Sequence, residues 1–148
     1  MEVKDIVDLD IVKTNMAAKT KDDALNDLAN QLLRNGYISE VEGFIKDIYA
    51  REAEGQTGIG NYIAIPHGKS AYVNKVGVAI GINQEEIPWE SLDGKGVKGI
   101  ILFGGGNDND GATNHLNYCR CLPEASNDEV VGNLLQAKKP EDVVEAFA

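Results

Sequence analysis

Basic residues are the scarcest large class in this chain: 14 Lys and Arg stand against 24 Asp and Glu, for a formal net charge of −10. That balance argues against electrostatic affinity for nucleic acid or anionic lipid and favours a basic protein partner. Cysteine is nearly absent. Cys119 and Cys121 are the whole complement, and their separation does not match the CxxC spacing of a redox pair. Together with the two histidines, His67 and His115, they offer no ligand-pair spacing for a metal, and the two thiols read as small hydrophobes. Long apolar runs are missing as well. Nowhere do eighteen apolar residues follow one another, and residues 1–20 lack the unbroken apolar stretch of a signal peptide. The expectation is a cytoplasmic protein with no direct membrane insertion. No internal repeat or low-complexity segment is present either.

With 148 residues and 43% of them hydrophobic, the chain can bury one core, and a single domain over residues 1–148 is expected. Val7, Leu9 and Ile11 alternate with Asp8 and Asp10, the period of a strand. Thr20 and Asp23 resemble a capping box, after which Ala24, Leu25, Leu28, Ala29, Leu32 and Leu33 recur at helical spacing until Gly36. Ser39 and Glu42 form a second such box before Phe44, Ile45, Ile48 and Tyr49, and that helix should end close to Arg51. Val76, Val78, Ile80 and Ile82 alternate with Gly77, Ala79 and Gly81, a strand with one bulky face and one bare face against which a helix can pack closely. Residues 83–96 read as loop, Val97–Phe103 as a central strand, and Gly104–Gly111 as a second loop. Asn114 offers an N-cap that places His115 in the first turn of a helix through Leu122, and two further helices follow from Ser126 and Pro140. At least four strands interleaved with about five helices give an α/β domain, its sheet largely buried under helices.

The stretch from Arg51 to Gly68, REAEGQTGIGNYIAIPHG, concentrates the unusual chemistry. Gly55, Gly58 and Gly60 precede an apolar run that ends at Pro66-His67-Gly68, so His67 is held from one side and closely approachable from the other. Arg51 admits two roles: a cation favourable to its helix dipole, or a forked donor reaching over the loop to an anion. Familiar motifs fail here. HGKS at 67–70 imitates the end of a phosphate-binding loop but has Ile63 where glycine is required. Gly104–Gly106 lacks the small residue a dinucleotide turn needs at Asn109. The Asp108–Asp110 segment lacks the closing glutamate of a calcium loop, and no GxSxG elbow exists.

Two imidazoles and an arginine without a serine, acid or metal companion suit phosphoryl transfer to histidine. A neutral imidazole attacks phosphorus, and the guanidinium offsets charge on the equatorial oxygens. Arg51, TGIGN at 57–61, IAIPHG at 63–68 and His115-Leu116 resemble the IIA component of the bacterial phosphotransferase system, of the fructose and mannitol type (EIIA type 2). The resemblance spans nearly the whole chain and implies a mixed β-sheet flanked by helices on both faces. It implies that His67 accepts a phosphoryl group from the phosphocarrier protein HPr and passes it to a IIB component, serving a IIC membrane permease indirectly. Arg51 and His115 would stabilise that group, and Asn61, Gly60 and Gly68 would line the site. No cofactor and no metal is implied. Two alternatives stand beside it: a regulatory phosphoprotein of the same fold, like the nitrogen-regulatory IIA proteins, and a module that binds a small anion without a covalent step.

Overall fold

The computed structural model describes residues 9–53, 58–60, 62–74, 77–89, 94–105, 132–133, 135–139 and 141–143. The helix expected at Asn114–Leu122, and with it Cys119, Cys121 and His115, lies outside the described residues, as does the start of the helix expected from Ser126, of which residues 132, 133 and 135 are described and helical.

Leu9–Ile11 forms one 3-10 turn, and the first strand, β1, runs from Val12 to Met16. The alternation ending at Ile11 therefore precedes the strand instead of forming it. The sheet pairing decides this, because Val12 is the residue that meets Ile80 and Ile11 is already fully buried beside it. Helix α1 covers Lys21–Arg34, and the Thr20 hydroxyl accepts from Asp23 N at 3.1 Å, as its cap position predicts. At the other end Tyr37 N donates to Leu32 O and Gly36 N to Leu33 O, the paired bonds of a Schellman motif. Gly36 takes φ 80°, which a residue with a Cβ rarely adopts. Loss of the Thr20 cap through Thr20→Ala should lower unfolding free energy by about 1 kcal/mol, measured by urea denaturation, with the slope unchanged.

Helix α2 covers Val41–Glu52 and begins at Glu40 without a side-chain cap. Ser39 is not the cap. Its amide and hydroxyl both donate to Tyr72 O, at 2.9 and 3.2 Å, so its polar groups tie the helix start to a segment more than thirty residues later. Four strands follow in sequence, β2 at Gly58–Gly60, β3 at Ile63–Ala64, β4 at His67–Lys69 and β5 at Gly77–Ile87. The last strand among the described residues, β6, spans Val97–Gly105. Two segments read as loop are strand. Gln84, Glu85 and Glu86 are exposed but belong to β5, at an irregularity in its ladder between Ile82, which pairs with Gly99, and Ile87, which pairs with Val97 and is buried with it. Gly104 and Gly105 continue β6 because β4 pairs with both.

The sheet is mixed, with order β1-β5-β6-β3-β2 and β4 beside β6. β1 is parallel to β5, β5 antiparallel to β6, and both β3 and β4 parallel to β6. β6 is central, as its apolar sequence suggests. The bare face of β5 works as predicted: a Cβ at Gly81 would overlap the Met16 sulfur and come within 3.1 Å of Leu28. Ala24, Leu25, Leu28 and Leu32 of α1 and Phe44 and Ile48 of α2 form the core with Ala79, Ile100 and Leu102 of that face. On the opposite face, a Cβ at Gly99 would meet Leu135 at 3.2 Å, and residue 135 is helical. Asn83, buried at the end of the β1 contact, donates to Ala18 O and Glu85 O and accepts from Ala18 N at 2.7 Å, so its amide is satisfied. No helix among the described residues is long and apolar enough to cross a membrane.

Candidate functional site

His67 opens β4, and its backbone pairs with Phe103 on the central strand. Pro66 lacks an amide hydrogen but its carbonyl accepts from Phe103 N at 3.0 Å, so the residue before His67 is still held to the sheet. Gly68 is buried, and the strand there comes close to α2. A Cβ on Gly68 would stand 2.5 Å from two atoms of the Phe44 ring and 3.2 Å from Ile48. The helix passes over β4 in the antiparallel sense. Gly43 lies against Tyr72, Asp47 bonds Ser70, and Ile48 covers Gly68. The next turn of α2 carries Arg51, so the helix continues toward the start of the strand, at His67.

Ser70 explains why the HGKS segment does not behave as a phosphate loop. Its fully buried hydroxyl donates to Asp47 Oδ2 at 2.5 Å and accepts from Tyr72 N at 3.2 Å, so it belongs to the wall between helix and strand. Gly60 ends β2 and pairs with Ile63, which leaves Asn61 and Tyr62 between the two strands. Tyr62 has φ 64°, a left-handed value of the kind that the second position of a type I′ hairpin turn takes. Its carbonyl accepts from both Lys98 N and Gly99 N, at 2.8 and 2.9 Å, and so fastens this hairpin to β6. Asn61 itself lies outside the described residues.

The structure thus brings Arg51, Gly68 and His67 to neighbouring elements and sets Gly60 on the adjoining hairpin. His115 lies outside the described residues, beyond the end of β6, the strand that pairs with β4. Among the described residues no three His, Cys, Asp or Glu side chains gather where they could hold a metal.

One group near Arg51 escaped the sequence reading. Lys21, at the first position of α1, pairs with Glu52, at the last position of α2, at 2.8 Å, and little of either side chain is exposed. The Lys21 ammonium also lies over the rings of Trp89 and Tyr49, 4.9 and 5.6 Å from their centroids. No local pattern announces this cluster, since its members come from α1, α2 and the segment after β5.

Comparison with known proteins places this geometry. The family model described as phosphoenolpyruvate-dependent sugar phosphotransferase system, EIIA 2, matches residues 5–148. The 2-O-alpha-mannosyl-D-glycerate-specific EIIABC component of Escherichia coli K12 is 26% identical over 99% of this chain, which spans 22% of that protein's length. The mannitol-specific phosphotransferase enzyme IIA component of Bacillus subtilis 168 is 29% identical over 92% of each chain. Nitrogen regulatory protein IIA-Ntr from Neisseria meningitidis has the same fold, with a TM-score of 0.84 at 23% identity over 99% of both chains. With its family model matched over almost every residue, the chain belongs to the EIIA 2 family of the phosphoenolpyruvate-dependent sugar phosphotransferase system.

Proposed function

We propose that this chain acts as a cytoplasmic phosphocarrier, a single EIIA domain over residues 1–148 that takes a phosphoryl group onto His67 from the phosphohistidine of HPr. An imidazole nitrogen of His67 attacks phosphorus, the nitrogen–phosphorus bond of the donor breaks, and its electron pair returns to the donor's ring. No cofactor enters the balance. The observation that carries the proposal is the antiparallel course of α2 over β4, which directs the Arg51 turn toward the strand start occupied by His67. There the guanidinium would offset charge on the equatorial oxygens, and His115 would donate a hydrogen bond to them, with Asn61, Gly60 and Gly68 lining the site. The phosphoryl group would then pass to a IIB component and serve a IIC permease. The relative named EIIABC joins such parts in one protein. A net charge of −10 suits a basic carrier surface.

The likeness to nitrogen regulatory protein IIA-Ntr supports a second reading, in which phosphorylated His67 alters binding to a regulatory partner and no sugar moves. Incubation with phosphoenolpyruvate, enzyme I and HPr, followed by intact-mass measurement, should show one acid-labile phosphoryl adduct on the native chain. Its loss on addition of a cognate IIB supports transport, and its persistence supports regulation. No adduct at all would defeat both.

A further inference from the structure

We propose that Lys21 is a positioning residue for Arg51, acting through Glu52. The inference rests on the phosphocarrier reading and deepens it. Arg51 lies in the last turn of α2, one residue before the helix ends at Glu52. Final helical turns have few intrahelical bonds to hold them, since their carbonyls lack partners further along the helix. A guanidinium that must meet a transferring phosphoryl group needs that turn fixed to within a fraction of an ångström.

The fixing comes from elsewhere in the chain. Lys21 Nζ meets Glu52 Oε2 at 2.8 Å, with the side chains only 14% and 7% exposed. Trp89, itself buried, and Tyr49 offer their ring faces to the same ammonium. Tyr49 adds a second tie between the helices, its hydroxyl donating to Asp22 Oδ1 at 3.2 Å. The first turn of α1, the last turn of α2 and the segment after β5 therefore converge one residue from Arg51. A buried ion pair is a poor source of net stability, because desolvation offsets much of its attraction. Its value is geometric: one cation, held by two rings and a carboxylate, admits one placement of the turn. Within α2, neighbouring residues point in different directions, so Lys21 can hold Glu52 while Arg51 faces another way.

Single-turnover phosphorylation by phospho-HPr, measured over a range of donor concentrations on the full chain, tests this. Lys21→Met keeps the length of the side chain without its charge. It should lower the saturating rate about tenfold, within the ~10²-fold that misplacement of a group by an ångström can cost, and leave the half-saturating donor concentration unchanged. Lys21→Arg should restore the rate. In an Arg51→Ala background, Lys21→Met should change the rate less than about twofold, since the residue it positions is already gone. An equal slowing in both backgrounds, or a change confined to donor affinity, would overturn the proposal. If Lys21→Met does not fold, Glu52→Gln leaves the ammonium on its two rings and is read by the same outcomes. A native chain that takes up no phosphoryl group sinks the phosphocarrier reading and this inference together. A phosphorylated native chain matched in rate by Lys21→Met sinks the inference alone.

Discussion

His67→Ala should abolish the acid-labile adduct, with no residual mass shift after incubation with phosphoenolpyruvate, enzyme I and HPr. The effect is expected to be complete because the substitution removes the atom that forms the new bond. Loss of an electrostatic donor around the site would instead slow transfer by roughly 10²–10³-fold. The fold should survive, since β4 is held by backbone pairing of residues 67–69 with β6 and by the Pro66 carbonyl, none of which needs an imidazole. Circular dichroism and the melting temperature of the variant should accordingly stay close to native. An adduct that persists in His67→Ala would move the acceptor to His115, the one other histidine, and overturn the assignment.

Phe44→Ala should be the most damaging single change to stability, costing about 3–5 kcal/mol. Its ring is fully buried, fills the space over Gly68 and stands 3.5 Å from where a Cβ of Gly104 would lie. Both glycines are Cα partners across β4 and β6, so the ring bridges the strand that carries His67 and the central strand. The vacated volume cannot be refilled by side chains at positions that have none. At this chain size the melting temperature should fall by roughly 6–20 °C. A loss below about 1 kcal/mol would show that α2 can settle onto the bare glycines, contrary to the packing described. Phosphorylation by HPr should also slow in the folded fraction, because the layer beneath His67 loses its support.

What could be read in advance followed the range over which each signal acts. α1 was legible because Thr20, the leucine period and Gly36 lie within one short segment and each has a local physical meaning. The bare face of β5 was legible because small residues at alternate positions have few other uses in a strand. The start of β1 was not, since Ile11 and Val12 are equally apolar and only pairing with Ile80 separates them. Gln84–Glu86 resembles loop by composition, yet these residues lie within β5 at an irregularity of its ladder, between the pairs Ile82–Gly99 and Ile87–Val97, which only the partner strand reveals. Ser39 looked like a cap until Tyr72, far along the chain, claimed its hydrogen bonds. The site divides in the same way. Pro66-His67-Gly68 and the terminal Arg51 stood out from local chemistry, while the roles of Phe44 over Gly68, Asp47 on Ser70 and Lys21 on Glu52 depend on contacts that no window of sequence contains.

The order of the sheet also bears on how the molecule comes into being. β5 and β6 are joined by a short connection and pair antiparallel along most of their lengths, so their contact closes a small loop at low entropic cost. Among the described residues, every other pairing with those two strands is parallel and brings together segments far apart in the chain, as Val12 with Ile80 does. Such contacts form late, because the loop must be closed before they return any energy. The hairpin is thus the natural first structure, and the strand bearing His67 joins a template already made. Changes within β5 and β6 would then be felt mainly in the rate of folding, while changes around His67 and Arg51 would be felt in the rate of unfolding. The segment specialised for chemistry is the one whose alteration least disturbs the chain's route to its structure.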